Sequence, residues 1–274
     1  MYDDLERPPL DGDALRRALV GPGSLWSDVD ILASTPSTNA VLVDRAKTDH
    51  RSGLVVIAEH QTAGRGRLDR AWTAPPRAGL TMSVLVRPDD VAVSRWPWIG
   101  LLAGLAVGAT LCESAGVDAR LKWPNDVVVG DRKIAGLLVE RVDAAPLPPA
   151  AVIGIGLNVS LRDDELPVPT ATSLALEGAT TTDRSVLARG VLRALEGLLG
   201  AWQRSGGDPE RGLRDAYLQA CSTVGRRVGV ALPGDRVVEG DAVGVDASGR
   251  LIVDTGSGRE LFGAGDVVHL RSLT

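Results

Sequence analysis

The 274-residue chain has only two cysteines and no apolar segment near its N-terminus. Cys112 and Cys221 lack the spacing of a disulfide framework or a zinc site. The N-terminal segment MYDDLERPPLDGD is acidic, which argues against a secretory signal. The longest uncharged apolar run, from Trp96 to Cys112, falls short of the roughly 20 residues that span a bilayer. These absences predict a cytoplasmic protein without a membrane span, in which residues 96–112 form a buried helix.

Acidic residues outnumber basic ones, 35 to 30, and the common phosphate motifs are missing. The net charge of −5 argues against nucleic acid as the main partner, because affinity for a polyanion needs a basic face. No stretch matches the P-loop pattern GxxxxGK[ST]. The dinucleotide fingerprint fails because Asp69 stands where its third glycine would follow Gly64 and Gly66. A phosphate bound here therefore needs cationic side chains.

Such side chains are concentrated in one segment. Four arginines stand within thirteen residues, at Arg65, Arg67, Arg70 and Arg77. A solvated basic loop is the ordinary explanation of such a cluster. Guanidinium groups, however, match the paired oxygens of carboxylates and phosphates. Against the acidic background of the chain, the cluster favours a small anionic ligand.

Hydrophobic periodicity and turn residues predict alternating helices and strands up to about residue 222. Helices are expected at 11–20, from Ser37 onward, and at 96–112, 183–204 and 209–220. Strands are expected at 29–33, 53–60, 80–87 and 151–159, with a hairpin over 127–140. From Thr223 onward, short β runs alternate with glycine turns, which is typical of a small barrel. We therefore divide the chain into residues 1–222 and 223–274.

Three further segments carry residues suited to an anionic ligand, although each has a simpler explanation. KWPND holds Lys122, Asn125 and Asp126 around a proline-stiffened turn, where a surface ion pair is common. Lys133 opens KIAGLLVE, and a lysine at the start of a strand is usually solvated. Asn158 follows GIGL and can satisfy a turn. Taken singly, none of these segments decides the chemistry.

Taken together and in order, the segments resemble the motifs of the biotin protein ligases. The order is STN at 37–39, QTAGRGRLDRAW at 61–72, KWPND at 122–126, KIAGLLVE at 133–140 and GIGLNV at 154–159. The resemblance runs from about Ser34 to the C-terminus. It implies an α/β (α+β) catalytic domain related to class II aminoacyl-tRNA synthetases, with a mixed sheet flanked by helices, and an SH3-like C-terminal barrel.

The resemblance also implies an ATP-dependent activity, that of a biotin--[biotin carboxyl-carrier protein] ligase. Biotin's carboxylate attacks the α-phosphate of ATP to give biotinyl-5′-AMP, and a lysine of a carrier domain then takes the biotinyl group. ATP and biotin are the expected substrates, with Mg²⁺ accompanying ATP. The expected partners are biotin carboxyl carrier protein domains of acetyl-, propionyl- and pyruvate-type carboxylases. The chain is expected to be a monomer or weak dimer.

The same resemblance assigns roles to individual residues. The expected biotin contacts are Ser37, Thr38, Asn39, Gln61, Gly64, Arg65, Arg67, Lys133, Gly136 and Gly154. The expected contacts to ATP and the adenylate are Arg65, Arg67, Arg70, Trp72, Asn125, Lys133, Asn158 and Arg271. The expected catalytic residues are Lys133, Arg67, Arg65 and Asp126. Asp126 would orient or deprotonate the acceptor lysine, although capping its own turn explains it equally well. Arg271 also fits an exposed terminal charge, and the metal ligands stay unknown.

Two departures from the family pattern qualify these expectations. Asp69 stands where many members have glycine, which bears on how the arginine loop closes. Too few residues precede Ser37 for the winged helix-turn-helix of bifunctional relatives, so binding to operator DNA is not expected. The alternatives are a lipoate or octanoate ligase and a non-catalytic biotin sensor. Arg65, Arg67 and Lys133 argue against a sensor, because binding alone does not require so much phosphate-directed charge.

Overall fold

The computed structural model describes residues 7–232, 236–263 and 265–270, apart from the Asp69 side chain. Arg271, an expected nucleotide contact, lies outside these residues. The helices are α1 (Gly12–Leu19), α2 (Thr38–Ala46), α3 (Pro97–Ala115), α4 (Arg184–Arg204) and α5 (Leu213–Ala220). The strands are β1 (Asp28–Leu32), β2 (Leu54–Ala58), β3 (Gly79–Val86), β4 (Ala119–Lys122), β5 (Asp126–Val129), β6 (Arg132–Val142), β7 (Ala150–Asn158), β8 (Arg227–Leu232), β9 (Arg236–Val245), β10 (Leu251–Asp254), β11 (Arg259–Phe262) and β12 (Asp266–His269).

The first seven strands form one mixed sheet, as the sequence predicts. Its strand order is β1-β2-β3-β7-β6-β5-β4, and the β1–β2 pair is parallel while the other pairs are antiparallel. Successive side chains of a strand face opposite sides of a sheet. Leu54 and Val56 of β2 accordingly pack in the cluster beneath α2, whereas Val55 and Ile57 join the main core on the other side. Both faces of the sheet are therefore covered, and β3 is buried along its whole length.

Helix α3 is the apolar helix that the sequence predicts, and it lies in the core. Pro97 occupies its first turn, where a missing N–H is tolerated, and Gly116 ends it in the left-handed conformation at φ 68°. The helix is long and apolar enough to cross a membrane by length and composition. Most of its side chains are buried against the sheet and α4. Its apolar character is thus explained by packing within this chain.

The last five strands form a separate antiparallel sheet in the order β11-β10-β9-β8-β12. This arrangement agrees with the small SH3-like domain that the sequence predicts. Trp98 and Trp123 of the larger region donate their indole N–H groups to the carbonyls of Ala247 and Gly249, each at 3.0 Å. The two sheets also share one continuous apolar core. The exact boundary at residue 222 stays a prediction.

Two local differences separate the prediction from the structure. Helix α5 begins at Leu213 rather than near Pro209, because Gly212 adopts a left-handed conformation at φ 95°. Strand β4 was not predicted. It is only four residues long and pairs directly with β5 across the KWPND turn. Its residues ARLK alternate between apolar and polar, but over too few positions to predict a strand.

Candidate active site

A cavity of about 640 Å³ lies between the start of α2, the arginine loop (residues 64–72), strands β5 to β7 and the segment 167–171. It brings together most of the residues that the sequence selects. Those that line it are Ser37, Thr38, Asn39, Gln61, Arg65, Arg67, Arg70, Trp72, Asn125, Asp126, Lys133, Gly136, Gly154 and Asn158. Gly64 stands behind this lining. A side chain there would collide with the carbonyl of Trp72, so its glycine is needed to fold the loop.

Three glycines form the floor of the cavity. Gly136 of β6 is paired with Gly156 of β7. Gly154 lies two residues before Gly156 in β7, on the same face of the sheet. A Cβ atom at Gly154 would lie 2.3 Å from Asn39 Oδ1, and one at Gly156 would lie 2.4 Å from Trp72 Cε2. Real contacts are not that short, so these positions require glycine. The missing side chains let Asn39 and Trp72 lie directly on the sheet.

One end of the cavity carries an uncharged chain of hydrogen-bonding groups. Gln61 Oε1 accepts from the Thr38 N–H at 2.8 Å and lies 3.0 Å from Thr38 Oγ1. Thr38 Oγ1 is 2.7 Å from Ser83 Oγ, and the Ser83 hydroxyl donates to Asn39 Oδ1 at 2.6 Å. Asn39 Nδ2 then donates to Glu140 Oε2 at 2.6 Å. One connected network is therefore supplied by strands β3 and β6, the first turn of α2, and Gln61 beyond the end of β2.

The arginine loop is a folded turn. The Trp72 N–H donates to the Gly64 carbonyl at 2.9 Å, and the Gly66 N–H donates to the Arg70 carbonyl at 2.6 Å. Leu68 at the tip has φ 54°, an unusual conformation for leucine, and its side chain is 70% exposed. These bonds hold the ends of the loop together and leave its apolar tip in solvent.

The arginines of this loop have different surroundings. Arg67 Nη1 donates to Asn125 Oδ1 at 2.9 Å, and burial lowers the pKa of Arg67 from its ordinary value. Asn125 Nδ2 in turn donates to the Leu137 carbonyl at 3.1 Å, which leaves only its oxygen for Arg67. Arg70 forms an ion pair with Asp266 of β12. Arg65 lies at the exposed edge of the cavity.

Lys133 is held on several sides. Its Nζ lies 2.6 Å from Asp126 Oδ1 and 5.6 Å from the centre of the Trp72 ring. Its backbone N–H donates to the Thr170 carbonyl at 2.7 Å, and its carbonyl accepts from Thr172 at 2.9 Å. Lys133 is thus fixed in the site, unlike the solvated lysine that its position in the sequence also allowed. Asp126 faces this lysine across the β5–β6 pair.

The neighbouring polar groups complete the wall of the cavity. Asn158 is buried, and its Nδ2 donates to the Thr172 carbonyl at 2.9 Å. Its Oδ1 is the atom left for other partners. The indole Nε1 of Trp72 is buried and finds no acceptor among the described residues. The cavity wall therefore offers an acceptor at Asn158 of β7 and a donor at Trp72 of the arginine loop.

A partly buried histidine, His269, lies at the junction of the two sheets. His269 Nε2 is 3.1 Å from Thr223 Oγ1, and Arg226 lies 3.3 Å from the other ring nitrogen. Burial, reinforced by the nearby cations Lys122 and Arg226, lowers the pKa of His269 to about 4. The ring is therefore neutral at pH 7. Of these residues, Lys122 also lines the cavity.

The comparisons with known proteins agree with this geometry. The "Biotin/lipoate A/B protein ligase family" matches residues 31–158, and the "Biotin protein ligase C terminal domain" matches residues 223–270. A biotin--[acetyl-CoA-carboxylase] ligase of Mycobacterium tuberculosis is 44% identical over 272 residues, which cover 98% of each chain. The chain belongs to the biotin protein ligase family.

Other biotin protein ligases show the same relation. The bifunctional ligase/repressor BirA of Escherichia coli is 32% identical over 82% of this chain and 69% of its own. The structure of the Aquifex aeolicus biotin protein ligase with biotin and ATP matches with a TM-score of 0.73 at 26% identity, over 90% of this chain and 100% of that one. The Leishmania major enzyme with biotinyl-5-AMP matches with a TM-score of 0.59 at 25% identity, over 87% and 99%. The predicted fold and family are confirmed, and biotin is favoured over lipoate or octanoate.

Several residues of this biotin protein ligase site were not predicted from the sequence. Ser83 is a polar residue inside the buried strand LTMSVLV, and that interruption was a usable signal. Glu140 stands at the end of a motif that was selected for its lysine. Asp266 carries no local signal, because it meets Arg70 only when the second sheet is in place.

Proposed function

We propose that this chain joins biotin to a lysine of a carrier protein in two steps. The biotin carboxylate oxygen attacks the α-phosphorus of ATP, and pyrophosphate leaves. The lysine ε-amine then attacks the carbonyl carbon of biotinyl-5′-AMP, and AMP leaves. The observation that carries the proposal is that one cavity has an uncharged hydrogen-bonding end at Thr38 and Gln61 and a cationic end at Arg67 and Lys133.

The uncharged end suits the ureido ring of biotin. That ring presents two N–H donors and one carbonyl acceptor, so it needs a mixture of acceptors and donors without net charge. Thr38, Asn39 and Gln61 provide hydroxyl and amide groups at this end. Gly136 and Gly154 let Lys133, Trp72 and Asn39 lie close to the sheet, which leaves the space above these side chains for the bicyclic ring.

The cationic end suits the reacting groups. A carboxylate approaching a triphosphate brings two anions together, and positive charge placed in advance lowers the barrier. Lys133 and Arg67 face the carboxylate and then the α-phosphate, while Arg65 and Arg70 neutralise outer phosphate oxygens. Arg67 is oriented by Asn125, so Asn125 acts on the nucleotide through this arginine. Trp72 offers its indole face to adenine, and the Asn158 oxygen faces the same side.

Asp126 has a role in the second step. The acceptor lysine is protonated at neutral pH and must lose a proton before it attacks. Asp126 is paired with Lys133, and the approach of the phosphate to Lys133 frees the carboxylate to receive or orient the amine. The structure thus favours a place in the chemistry over a cap of its own turn.

Mg²⁺ accompanies the triphosphate. Among the described residues, no group of three His, Cys, Asp or Glu side chains is placed to hold a metal. Magnesium commonly binds through one or two carboxylates together with substrate phosphates. Asp126, Asp131 and Asp266 line the cavity and are the carboxylates that fit this arrangement. The ion would neutralise the departing pyrophosphate.

The carrier protein is the biotin carboxyl carrier domain of an acetyl-CoA carboxylase, and related domains of propionyl- and pyruvate-type carboxylases fit the same chemistry. The enzyme acts in the cytoplasm, as a monomer or weak dimer, without binding DNA. Light scattering of the purified chain measures its molar mass and so tests the oligomeric state. The same measurement during titration with a DNA fragment of operator length tests whether the chain binds DNA.

The decisive experiment measures the two steps separately. Biotin-dependent exchange of labelled pyrophosphate into ATP reports adenylate formation, and mass spectrometry of a carrier domain reports the biotin adduct on its lysine. We expect both, and no exchange when lipoate or octanoate replaces biotin. Exchange with lipoate would indicate the alternative ligase. Binding of biotin without any exchange would indicate a biotin sensor.

A further inference from the structure

The network at the uncharged end of the cavity has fewer donor hydrogens than it has oxygen–oxygen contacts. It contains three oxygen–oxygen contacts, between Gln61 and Thr38, Thr38 and Ser83, and Ser83 and Asn39, at 3.0, 2.7 and 2.6 Å. Each contact needs one hydrogen, but only the two hydroxyls can supply it, since each carries a single O–H donor. One contact is therefore left with two acceptors facing each other.

Glu140 makes the shorter of the two contacts that create this shortage. An ionised carboxylate only accepts hydrogen bonds, so it must face the Nδ2 of Asn39, at 2.6 Å, and the Leu138 carbonyl accepts from the same Nδ2 at 3.4 Å. The Asn39 amide is then oriented with Oδ1 towards Ser83, which has to donate to it. Ser83 has no second hydrogen for Thr38. The orientation chosen at Glu140 is thus transmitted through two residues to the wall of the cavity.

The uncompensated acceptors lie where a ligand meets the protein. Ser83 is fully buried, whereas Thr38 and Gln61 line the cavity. If Thr38 donates to Ser83, the Gln61 and Thr38 oxygens 3.0 Å apart have no hydrogen between them. A ligand N–H placed against this pair supplies the missing hydrogen. A ligand with only acceptors, or with an apolar ring, leaves the Gln61 and Thr38 oxygens facing each other without a hydrogen between them.

We propose that Glu140 is a positioning residue that selects ligands with a ring N–H, by fixing the direction of the hydrogen bonds from Asn39 through Ser83 to Thr38. Glu140 itself does not line the cavity. The inference rests on the proposed function for the identity of the ligand as a cyclic urea. It deepens that function by naming the residue on which discrimination against ligands without such donors depends.

The test is a set of biotin dissociation constants from isothermal titration calorimetry of the purified full chain. Glu140→Leu removes the stronger acceptor and leaves only the longer contact with the Leu138 carbonyl, at 3.4 Å, to orient the Asn39 amide. We expect its biotin dissociation constant to rise about tenfold, equivalent to about 1.4 kcal/mol. The dissociation constant of ATP should change by less than about twofold. Arg141→Leu is the matched control, because Arg141 is the next residue of β6 and its exposed side chain pairs with Asp143.

A double variant shows whether the direction of the bonds is responsible. Asn39→Asp alone places two carboxylates together and should weaken biotin binding. Asn39→Asp combined with Glu140→Gln lets the glutamine donate to the aspartate, which still accepts from Ser83, so binding should return to within about threefold of wild type. A biotin analogue methylated on its ring nitrogens should lose less affinity in Glu140→Leu than in the wild type.

Several results would overturn the inference. Unchanged biotin affinity in a folded Glu140→Leu variant would do so, as would equal losses for biotin and ATP. If Glu140→Leu does not fold, the double variant decides, and a failure of that folded variant to recover binding refutes the inference. These binding measurements do not depend on catalysis. Absence of biotin-dependent exchange in the wild type would refute the proposed function alone.

Discussion

Replacing Gly156 by alanine tests whether the glycine floor exists to seat Trp72. The three atoms nearest to a Cβ at this position all belong to the Trp72 ring, at 2.4, 2.6 and 2.8 Å. Carbon atoms prefer separations of about 3.5–4.0 Å, so the methyl group intrudes by about 1 Å. Strand β7 is paired on both sides, with β3 and β6, and cannot retreat. The indole ring must therefore leave its place on the sheet.

The expected cost follows from this geometry. Overpacking of a fixed contact costs about 1–3 kcal/mol, and we expect the free energy of unfolding to fall by that amount. In a Trp72→Ala background the methyl group meets open space. There the same substitution should be neutral or stabilising by about 0.4–1 kcal/mol, because alanine restricts the unfolded chain more than glycine does.

Denaturant unfolding of the four proteins in this cycle measures the coupling between the two positions. Gly154→Ala is the matched control, because its nearest atoms belong to Asn39, and its cost should be the same with and without Trp72. The reasoning is refuted if Gly156→Ala destabilises the Trp72→Ala protein as much as the wild type. The KM for ATP should rise in Gly156→Ala, because the displaced ring can no longer offer the indole face that we propose for adenine.

Three further predictions concern charged residues. Lys133→Ala should slow biotin-dependent pyrophosphate exchange by about 10²-fold or more, and near-normal exchange would remove this lysine from the chemistry. Arg70 and Asp266 are both partly exposed, so a double-mutant cycle of their alanine variants should give a coupling free energy of about 0.2–1 kcal/mol that disappears in 1 M salt. Zero coupling at low salt would contradict a stabilising ion pair between the arginine loop and β12. The pKa of His269 is lowered from 6.5 to about 4 in the folded chain. Its contribution to stability is therefore present above pH 6.5 and is lost as the pH falls from 6.5 to 4, because only the unfolded chain takes up the proton in this window. The unfolding free energy of His269→Asn should decline less over that range, and equal declines would count against the buried neutral ring.

Much of the fold followed from local patterns. The strand 80–87 and the apolar helix 96–112 were predicted because periodicity and turn residues act within a few positions of the chain. Helix α5 was placed too early and β4 was missed, since both are short and their limits depend on neighbours that are distant in sequence. Element limits of this kind are set by pairing partners as much as by the residues themselves.

The site was predicted to a similar extent. Cationic and polar residues within recognisable motifs, such as Arg67 and Lys133, were selected, and the structure brings them to one cavity. Ser83, Glu140 and Asp266 were not, because their importance arises from contacts between separate motifs. The assignment of Asn125 to the nucleotide stays a prediction, and the structure adds that its oxygen accepts a hydrogen bond from Arg67.

The sequence by itself determined the family, the alternation of helices and strands, and the supply of positive charge in an acidic chain. The tertiary structure decided which of these groups meet. The order β3-β7-β6 places Ser83, Gly154 and Leu138 in one row, so that Asn39 reaches Glu140 across a glycine. Side-chain alternation along one strand is a local property, but the register between strands depends on the whole sheet. The direction of the hydrogen bonds in the cavity is therefore a property of the folded molecule.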